Sequence, residues 1–237
     1  MGNVIDSSAG STPVREVMIA CTTLRTEIEH VMDVHGITRP VIWLENQLHI
    51  VPAKLKSELQ NALSSVQDAD RVLLGYGNCG NVVPGLESGD FELIVPRLDD
   101  CISLMLGSQF YRQWFSDEHK AFYLTDGWTG GKSTIDHEFA SMYEDYGEEE
   151  ANEVMAMMYA HYSTMAYLDT GLYDIAGLMQ ETAHLCEVIG VKQVIEPATL
   201  AYVEQLVCGP WPEELFVRVG PHEMIEADPF MQPGSVR

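Results

Sequence analysis

Apolar segments that alternate with helical segments constrain the fold of this 237-residue chain more than any other feature. The apolar segments, which predict buried strands, are residues 16–21, 40–44, 71–75, 91–95, 121–125, 165–168, 193–195 and 215–219. The helices expected between them are residues 22–34, 52–66, 100–107, 108–115, 135–146, 148–162, 173–189 and 198–207. The alternation predicts an α/β fold with flanking helices and a largely parallel sheet, or two or three related αβ layers.

The amino-acid composition argues against some classes of partner and predicts the cellular compartment. Thirty-six acidic residues against thirteen basic ones give a net charge of −23, which argues against nucleic acid or an anionic membrane as a partner. No apolar run approaches the ~18 residues of a membrane span, and no signal peptide is evident, so we expect a cytoplasmic protein. Residues 1–13 are expected to be a flexible lead-in, and residues 14–237 a single domain or two intimate halves. The oligomeric state cannot be predicted.

Three of the five cysteines stand where a predicted strand ends. Cys21 closes the first strand, Cys79 lies in the glycine-rich turn after the third, and Cys101 follows the fourth and opens a helix. The carboxyl ends of parallel strands meet at one edge of a sheet, so we expect these thiols to converge there. Because Cys21 and Cys101 are placed at helix starts, we also expect their thiolates to be stabilised.

An odd number of cysteines in a chain expected to be cytoplasmic argues for a metal site and against a disulfide framework. The separations of 58 and 22 residues match no local zinc finger, so Cys21, Cys79 and Cys101 would be assembled by the fold. Three cysteines suit a [4Fe–4S] cluster with one open iron, or zinc with an open position. The alternative is that each is a small buried hydrophobe. Whether Cys186, Cys208 or a histidine completes the site stays open.

Polar and aromatic residues near the predicted thiol site are candidates for binding a substrate. These candidates are Tyr76, Asn78, Asn81, Arg97, Asp100 and Trp128. Ordinary structural roles compete with this interpretation, because asparagines favour turns, aspartates cap helices and arginines pair with aspartates. Residues 130–134 resemble the end of a phosphate-binding loop, but the required first glycine is replaced by Asp126, so we expect a helix-capping turn there.

Four segments together resemble an uncharacterised family of small bacterial and archaeal proteins defined by a domain of unknown function. The segments are IAC at 19–21, GYGNCGN at 75–81, PRLDDCISLMLGS at 96–108 and YLTDGW at 123–128, and the resemblance covers about residues 15–220. Members are similar to proteins found beside corrinoid-dependent methyltransferases for methylamines and betaines. The resemblance implies a role in methyl transfer or in maintaining the corrinoid partner.

Residues and resemblance together lead to one principal expectation and two alternatives. The principal one is a metal-binding protein in corrinoid-linked one-carbon metabolism of methylated amines, with a small-molecule substrate and a corrinoid protein or methyltransferase subunit as partner. The first alternative is a metal-free module that docks such a partner. The second is an enzyme that uses Cys79 as a nucleophile.

Overall fold

The computed structural model describes residues 14–129 and 135–227. Its strands are β1 (Glu16–Cys21), β2 (Val41–Leu44), β3 (Arg71–Gly75), β4 (Glu92–Pro96), β5 (Ala121–Leu124), β6 (Thr164–Asp169), β7 (Lys192–Pro197) and β8 (Phe216–Val219). Its helices are α1 (Arg25–Val34), α2 (Pro52–Ser65), α3 (Cys101–Leu106), α4 (Gln109–His119), α5 (Ile135–Tyr146), α6 (Glu148–Met158), α7 (Ile175–Glu181), α8 (Ala183–Ile189) and α9 (Ala201–Cys208). The predicted lead-in and the segment that resembles a phosphate-binding loop lie outside the described residues.

The first sheet has the strand order β2-β1-β3-β4-β8. Strands β1 to β4 run parallel, with Ile19 of β1 paired to Ile42 and Leu74 of its two neighbours. Its central strands are continuous apolar runs because helices cover both faces of the sheet. Leu59 of α2 packs on the face that carries Ile19, and α1 and α9 pack on the other.

The second sheet contains β5, β6 and β7, all parallel. One face packs Met165 and Tyr167 against α5, α6 and α8. The opposite face carries Ala166 and Leu168 into the same apolar cluster as Met18 of β1. The two sheets therefore share a core, and the predicted α/β class with mostly parallel pairing is confirmed.

One local expectation was wrong, and one strand pairing was not predicted. Strand β8 pairs antiparallel with β4 in an otherwise parallel sheet, which apolar patterning alone does not reveal. The helix expected over residues 173–189 is two helices, α7 and α8, separated at Thr182. The Thr182 hydroxyl donates to the Leu178 carbonyl at 2.8 Å and lies 2.5 Å from the Tyr167 hydroxyl. Such side-chain bonding competes with the helical backbone pattern and favours a break.

The carboxyl ends of β1, β3 and β4 lie at one edge of the first sheet, as parallel pairing requires. The segments that follow these strands carry Cys21, Cys79 and Cys101. No described helix combines the length and the apolar character needed to cross a membrane.

Candidate thiol site

Cys21, Cys79 and Cys101 line one cavity of 430 Å³ at this edge. That volume falls within the range of small-molecule and cofactor sites, about 300–1,000 Å³. Cys21 belongs to the apolar cluster on one face of the first sheet and Cys101 to the cluster on the other. The two meet because Cys21 ends β1 and Cys101 opens the helix that follows β4, beyond the sheet edge, where the two faces are no longer separated by the strands. The other lining residues are Thr23, Glu45, Asn46, His49, Leu55, Tyr76, Gly80, Asp99, Asp100, Ile102, Arg112, Trp128 and Tyr162.

A close backbone contact brings Cys79 to Cys101. A Cβ atom added to Gly77 would lie 2.5–2.6 Å from the backbone N, Cα and C of Asp100, so only glycine allows this approach. The backbone amide of Asn78 donates to the Leu98 carbonyl at 2.7 Å and holds the same two segments together. Glycine at position 77 is therefore required for close packing of the turn against the segment before α3.

The three sulfurs are close enough to alter one another's titration. The Cys101 thiol donates a hydrogen bond to Cys79, which lowers the pKa of Cys79 and raises the pKa of Cys101. Burial raises the pKa of Cys21, whose thiol donates to the Thr23 hydroxyl at 3.3 Å. The expectation that helix starts would stabilise thiolates at Cys21 and Cys101 was wrong, because burial and neighbouring thiols outweigh the helix termini. Only Cys79 of the three has a lowered pKa.

The side chains are not arranged as a finished coordination sphere. In residues 14–129 and 135–227, no three His, Cys, Asp or Glu side chains form a group that could hold a metal ion. Cys21 is turned toward Thr23 while Cys79 and Cys101 are turned toward each other. Binding of one metal centre by all three thiols therefore requires their side chains to turn toward a common point.

Tyr76 lines the same cavity with an unsatisfied polar atom. The residue is 2% exposed, and its buried hydroxyl makes no well-aligned hydrogen bond within residues 14–129 and 135–227, although the Cys21 thiol is close enough to act on its titration. Burial and the proximity of Cys21 raise the pKa of Tyr76, so the hydroxyl stays protonated. An unpaired buried hydroxyl is unfavourable by about 1–3 kcal/mol, which a bound ligand with an acceptor atom would offset.

An ion pair stands at the rim of the cavity. Asp100 caps α3 by accepting from the Ser103 backbone amide at 2.8 Å, and its other oxygen pairs with Arg112 at 2.9 Å. Burial and the neighbouring Asp100 raise the pKa of Asp99. Glu45, Asp99 and Asp100 outnumber Arg112 among the charged lining residues, so the cavity favours cations or neutral ligands over anions.

The structure places some of the predicted substrate-binding residues in the cavity and gives others a structural role. Tyr76, Asp100 and Trp128 line the cavity. The Asn78 side chain instead holds the turn, because it donates to Asn81 at 3.1 Å and accepts from the Val83 amide at 3.2 Å. Arg97 donates to the Glu213 carbonyl at 2.8 Å, on the segment that leads into β8.

Several lining residues were missed by sequence reasoning. Glu45, Asn46 and His49 follow β2, the strand beside β1, and Arg112 lies on α4. The end of β2 was the available signal, because it lies at the same sheet edge as Cys21. Arg112 and Tyr162 carry no local pattern and reach the cavity only through packing of the second sheet.

The cavity adjoins a second hollow of 220 Å³ with aromatic walls. Asn46, His49, Ile102, Arg112, Trp128 and Tyr162 line both spaces, and Phe122 and Tyr123 line only the second. A ligand at the thiols therefore has an apolar extension available between the two sheets.

The remaining cysteines lie away from this cavity. Cys186 is buried in the core of the second sheet, 3.5 Å from the Tyr167 hydroxyl. Cys208 is exposed at the end of α9, where Arg39 acts on its titration. Neither lines the thiol cavity, whereas His49 does.

Comparison with known protein families identifies the family of this chain. The model of DUF1638, a protein of unknown function, matches residues 43–207. The chain belongs to the DUF1638 family. Cys79 and Cys101 fall inside the matched DUF1638 region and Cys21 precedes it. The comparisons with curated proteins and with solved structures gave no match. Because the DUF1638 description names no activity, the corrinoid-linked role stays a prediction.

Proposed function

We propose that this DUF1638 protein holds a metal centre on Cys21, Cys79 and Cys101, an iron–sulfur cluster in first place and zinc as the alternative. The supporting observation is that three thiols from the ends of three adjacent strands line one cavity. Soft thiolates select iron–sulfur clusters and zinc over hard cations. Three protein ligands leave one coordination position for a small substrate.

The surrounding residues fit a substrate site beside such a centre. Tyr76 offers a protonated hydroxyl as a hydrogen-bond donor, and Arg112 offers a guanidinium held in place by Asp100. The aromatic hollow accommodates an apolar part of the substrate and keeps water away from it. A metal centre of this kind acts as a Lewis acid on a nitrogen, oxygen or sulfur atom of the substrate.

The proposed setting is cytoplasmic one-carbon metabolism of methylated amines, as enzyme or accessory to a corrinoid protein or methyltransferase subunit. This part of the proposal is supported by the sequence resemblance given above. The net charge of −23 suits docking to a basic surface, and such a complex weakens as salt rises.

The test is isolation of the full chain without oxygen, followed by an absorption spectrum and analysis of iron, sulfide and zinc. We expect a brown protein with a broad band near roughly 400 nm from cysteine-bound iron, or a colourless protein with stoichiometric zinc. A colourless protein free of both metals would contradict the proposal. It would leave the metal-free docking module as the remaining binding function.

A cysteine-nucleophile enzyme is the second candidate, because the pKa of Cys79 is lowered by the hydrogen bond from Cys101. In metal-free, reduced protein we expect iodoacetamide to modify Cys79 at a lower pH than Cys208, whose pKa is raised by burial. Rates at each cysteine are measured by peptide mass spectrometry across pH 6–10.

The control for this measurement is Cys101→Ala, which removes the donor to Cys79. The variant is expected to move the Cys79 profile to higher pH and to leave the Cys208 profile unchanged. Identical Cys79 profiles in wild type and variant would show that the thiol pair does not activate Cys79.

A further inference from the structure

Helix α6 presents apolar side chains to solvent on one of its faces. Val154, Met157 and Met158 are 37%, 69% and 45% exposed. Their spacing of i, i+3 and i+4 places them on the same side of the helix, and we call this set the α6 stripe. A different side of the helix carries Ala151 and Met155, which are buried. The α6 stripe is therefore distinct from the surface by which α6 packs on the second sheet.

The exposure of these methionines sets them apart from the others. Among the methionines that the structure describes, Met157, Met158 and Met224 are exposed, and the rest are buried or half-buried. Single exposed apolar side chains are common on protein surfaces, whereas several on one face form a patch typical of interaction sites. Methionine suits such sites because its flexible, polarisable side chain adapts to a partner.

The helices around the α6 stripe are strongly acidic. Residues 133–191, which include helices α5 to α8, contain twelve acidic residues and no lysine or arginine, so they carry −12 of the net charge of −23. Glu150 and Glu153 lie four positions before Val154 and Met157, on the same exposed face of α6. A partner that combines an apolar stripe with lysine or arginine would complement both features of this surface.

A second copy of this chain does not provide that complement. If two copies met at the α6 stripe about a two-fold axis, Glu150 and Glu153 would face the same acidic helices in the other copy. Such like-charge contacts oppose association. A helix with basic residues beside its apolar face instead brings opposite charges to the two glutamates while its apolar side chains pack on the stripe.

We propose that the α6 stripe docks a basic amphipathic helix of another protein. The apolar face of that helix covers Val154, Met157 and Met158, and its lysine or arginine side chains face Glu150 and Glu153. The proposal rests on the docking role proposed above and does not depend on the metal centre, which metal analysis tests separately. None of the α6 residues belongs to the lining of the thiol cavity, so docking here leaves that lining in place.

The test uses a synthetic amphipathic helical peptide built only of leucine and lysine. The control is a peptide of the same composition whose leucines are scrambled over all faces of the helix. Binding to the full chain is measured by calorimetry at about 50 mM and about 300 mM NaCl. We expect tighter binding of the amphipathic peptide than of the scrambled one, and weaker binding at the higher salt. Equal affinity for the two peptides, or no binding of either, would overturn the proposal.

Two matched pairs of variants locate the contact. Met157→Ser is expected to weaken binding of the amphipathic peptide about fivefold or more, whereas Met224→Ser, which also changes an exposed methionine, should leave it unchanged. Glu153→Gln should weaken binding more than Glu214→Gln, although each removes one negative charge from an exposed position. Equal effects within either pair would show that the peptide follows only the net charge of the chain, and would contradict docking at the stripe.

Sedimentation of wild type and Met157→Ser tests the other occupant. A wild-type dimer that becomes a monomer in the variant would assign the α6 stripe to a second copy and overturn the proposal. Protein that is isolated without metal and still binds the amphipathic peptide at the stripe would support docking while contradicting the metal centre. The two proposals therefore fail through different measurements.

Discussion

Replacement of Cys21, Cys79 or Cys101 by serine is expected to lower the metal content of the anaerobically isolated protein by more than about tenfold. A hydroxyl of similar size cannot replace a thiolate as a ligand of iron or zinc, and two remaining thiols leave the centre open to solvent. Iron, sulfide and zinc are measured per chain, after circular dichroism has shown that each variant is folded.

Two cysteines of the same chain provide matched controls. Cys208→Ser changes an exposed thiol, and Cys186→Ser changes a buried thiol in the core of the second sheet. Both variants should retain the metal content of wild type. Loss confined to the Cys79 and Cys101 variants would contradict a three-thiol centre and would make His49 or Glu45 of the cavity lining the candidate third ligand.

The fold class could be predicted from local sequence signals, because strands that are buried in the core have apolar sequences. Strand β3, for example, is buried on both faces after its first residue, Arg71, and the rest of its sequence is an apolar segment that ends in glycine. The antiparallel pairing of β8 depends on β4, far away in the chain, and the break at Thr182 involves Tyr167 of the preceding strand as well as the nearby Leu178. Periodicity within one segment holds no information about such partners.

The convergence of the three cysteines followed from topology, since parallel strands place their carboxyl ends together. The directions in which the pKa values of the three thiols are shifted could not be predicted from this topology. The helix starts at Cys21 and Cys101 suggested lowered pKa values, but burial and mutual hydrogen bonding decide the direction. Arg112 reaches the cavity from a helix that precedes the second sheet, and no spacing rule links it to Asp100.

The same topology explains why the loops of the second sheet reach the junction with the first sheet. Both sheets turn the ends of their strands toward the region where they join, and β5 and β6 place Asp126 and Thr170 there. The thiol cavity takes walls from both sheets, including Cys21 from the first and Trp128 beside the second. Any change at the junction therefore alters the shape of the space in which a substrate would bind.

The substitution Gly77→Ala is expected to destabilise the fold and to disrupt the thiol site together. Its Cβ would lie 2.5–2.6 Å from three backbone atoms of Asp100, which cannot rotate away as a side-chain end can. Either the glycine-rich turn or the segment before α3 must shift, and overpacking of this kind destabilises by about 1–3 kcal/mol or more. For a chain of this size, each kcal/mol lowers the unfolding midpoint by about 2–4 °C.

The shift also separates Cys79 from Cys101, because Asp100 is adjacent to Cys101 in the chain. We therefore expect Gly77→Ala to lower the unfolding midpoint and to lose bound metal together, as measured by calorimetry and metal analysis of one preparation. Gly177→Ala is the matched control, since its Cβ would meet only the carboxylate end of Asp174, within 2.5 Å, on helix α7. Rotation of that exposed side chain relieves the contact but loses the N-cap hydrogen bond that Asp174 accepts from the backbone amide of residue 177. The helix preference of alanine offsets most of this loss, so the control should keep its metal and stay within about 1 kcal/mol of wild type. A Gly77→Ala protein with wild-type stability and a full metal complement would show that the approach of the turn to Asp100 does not position the thiols.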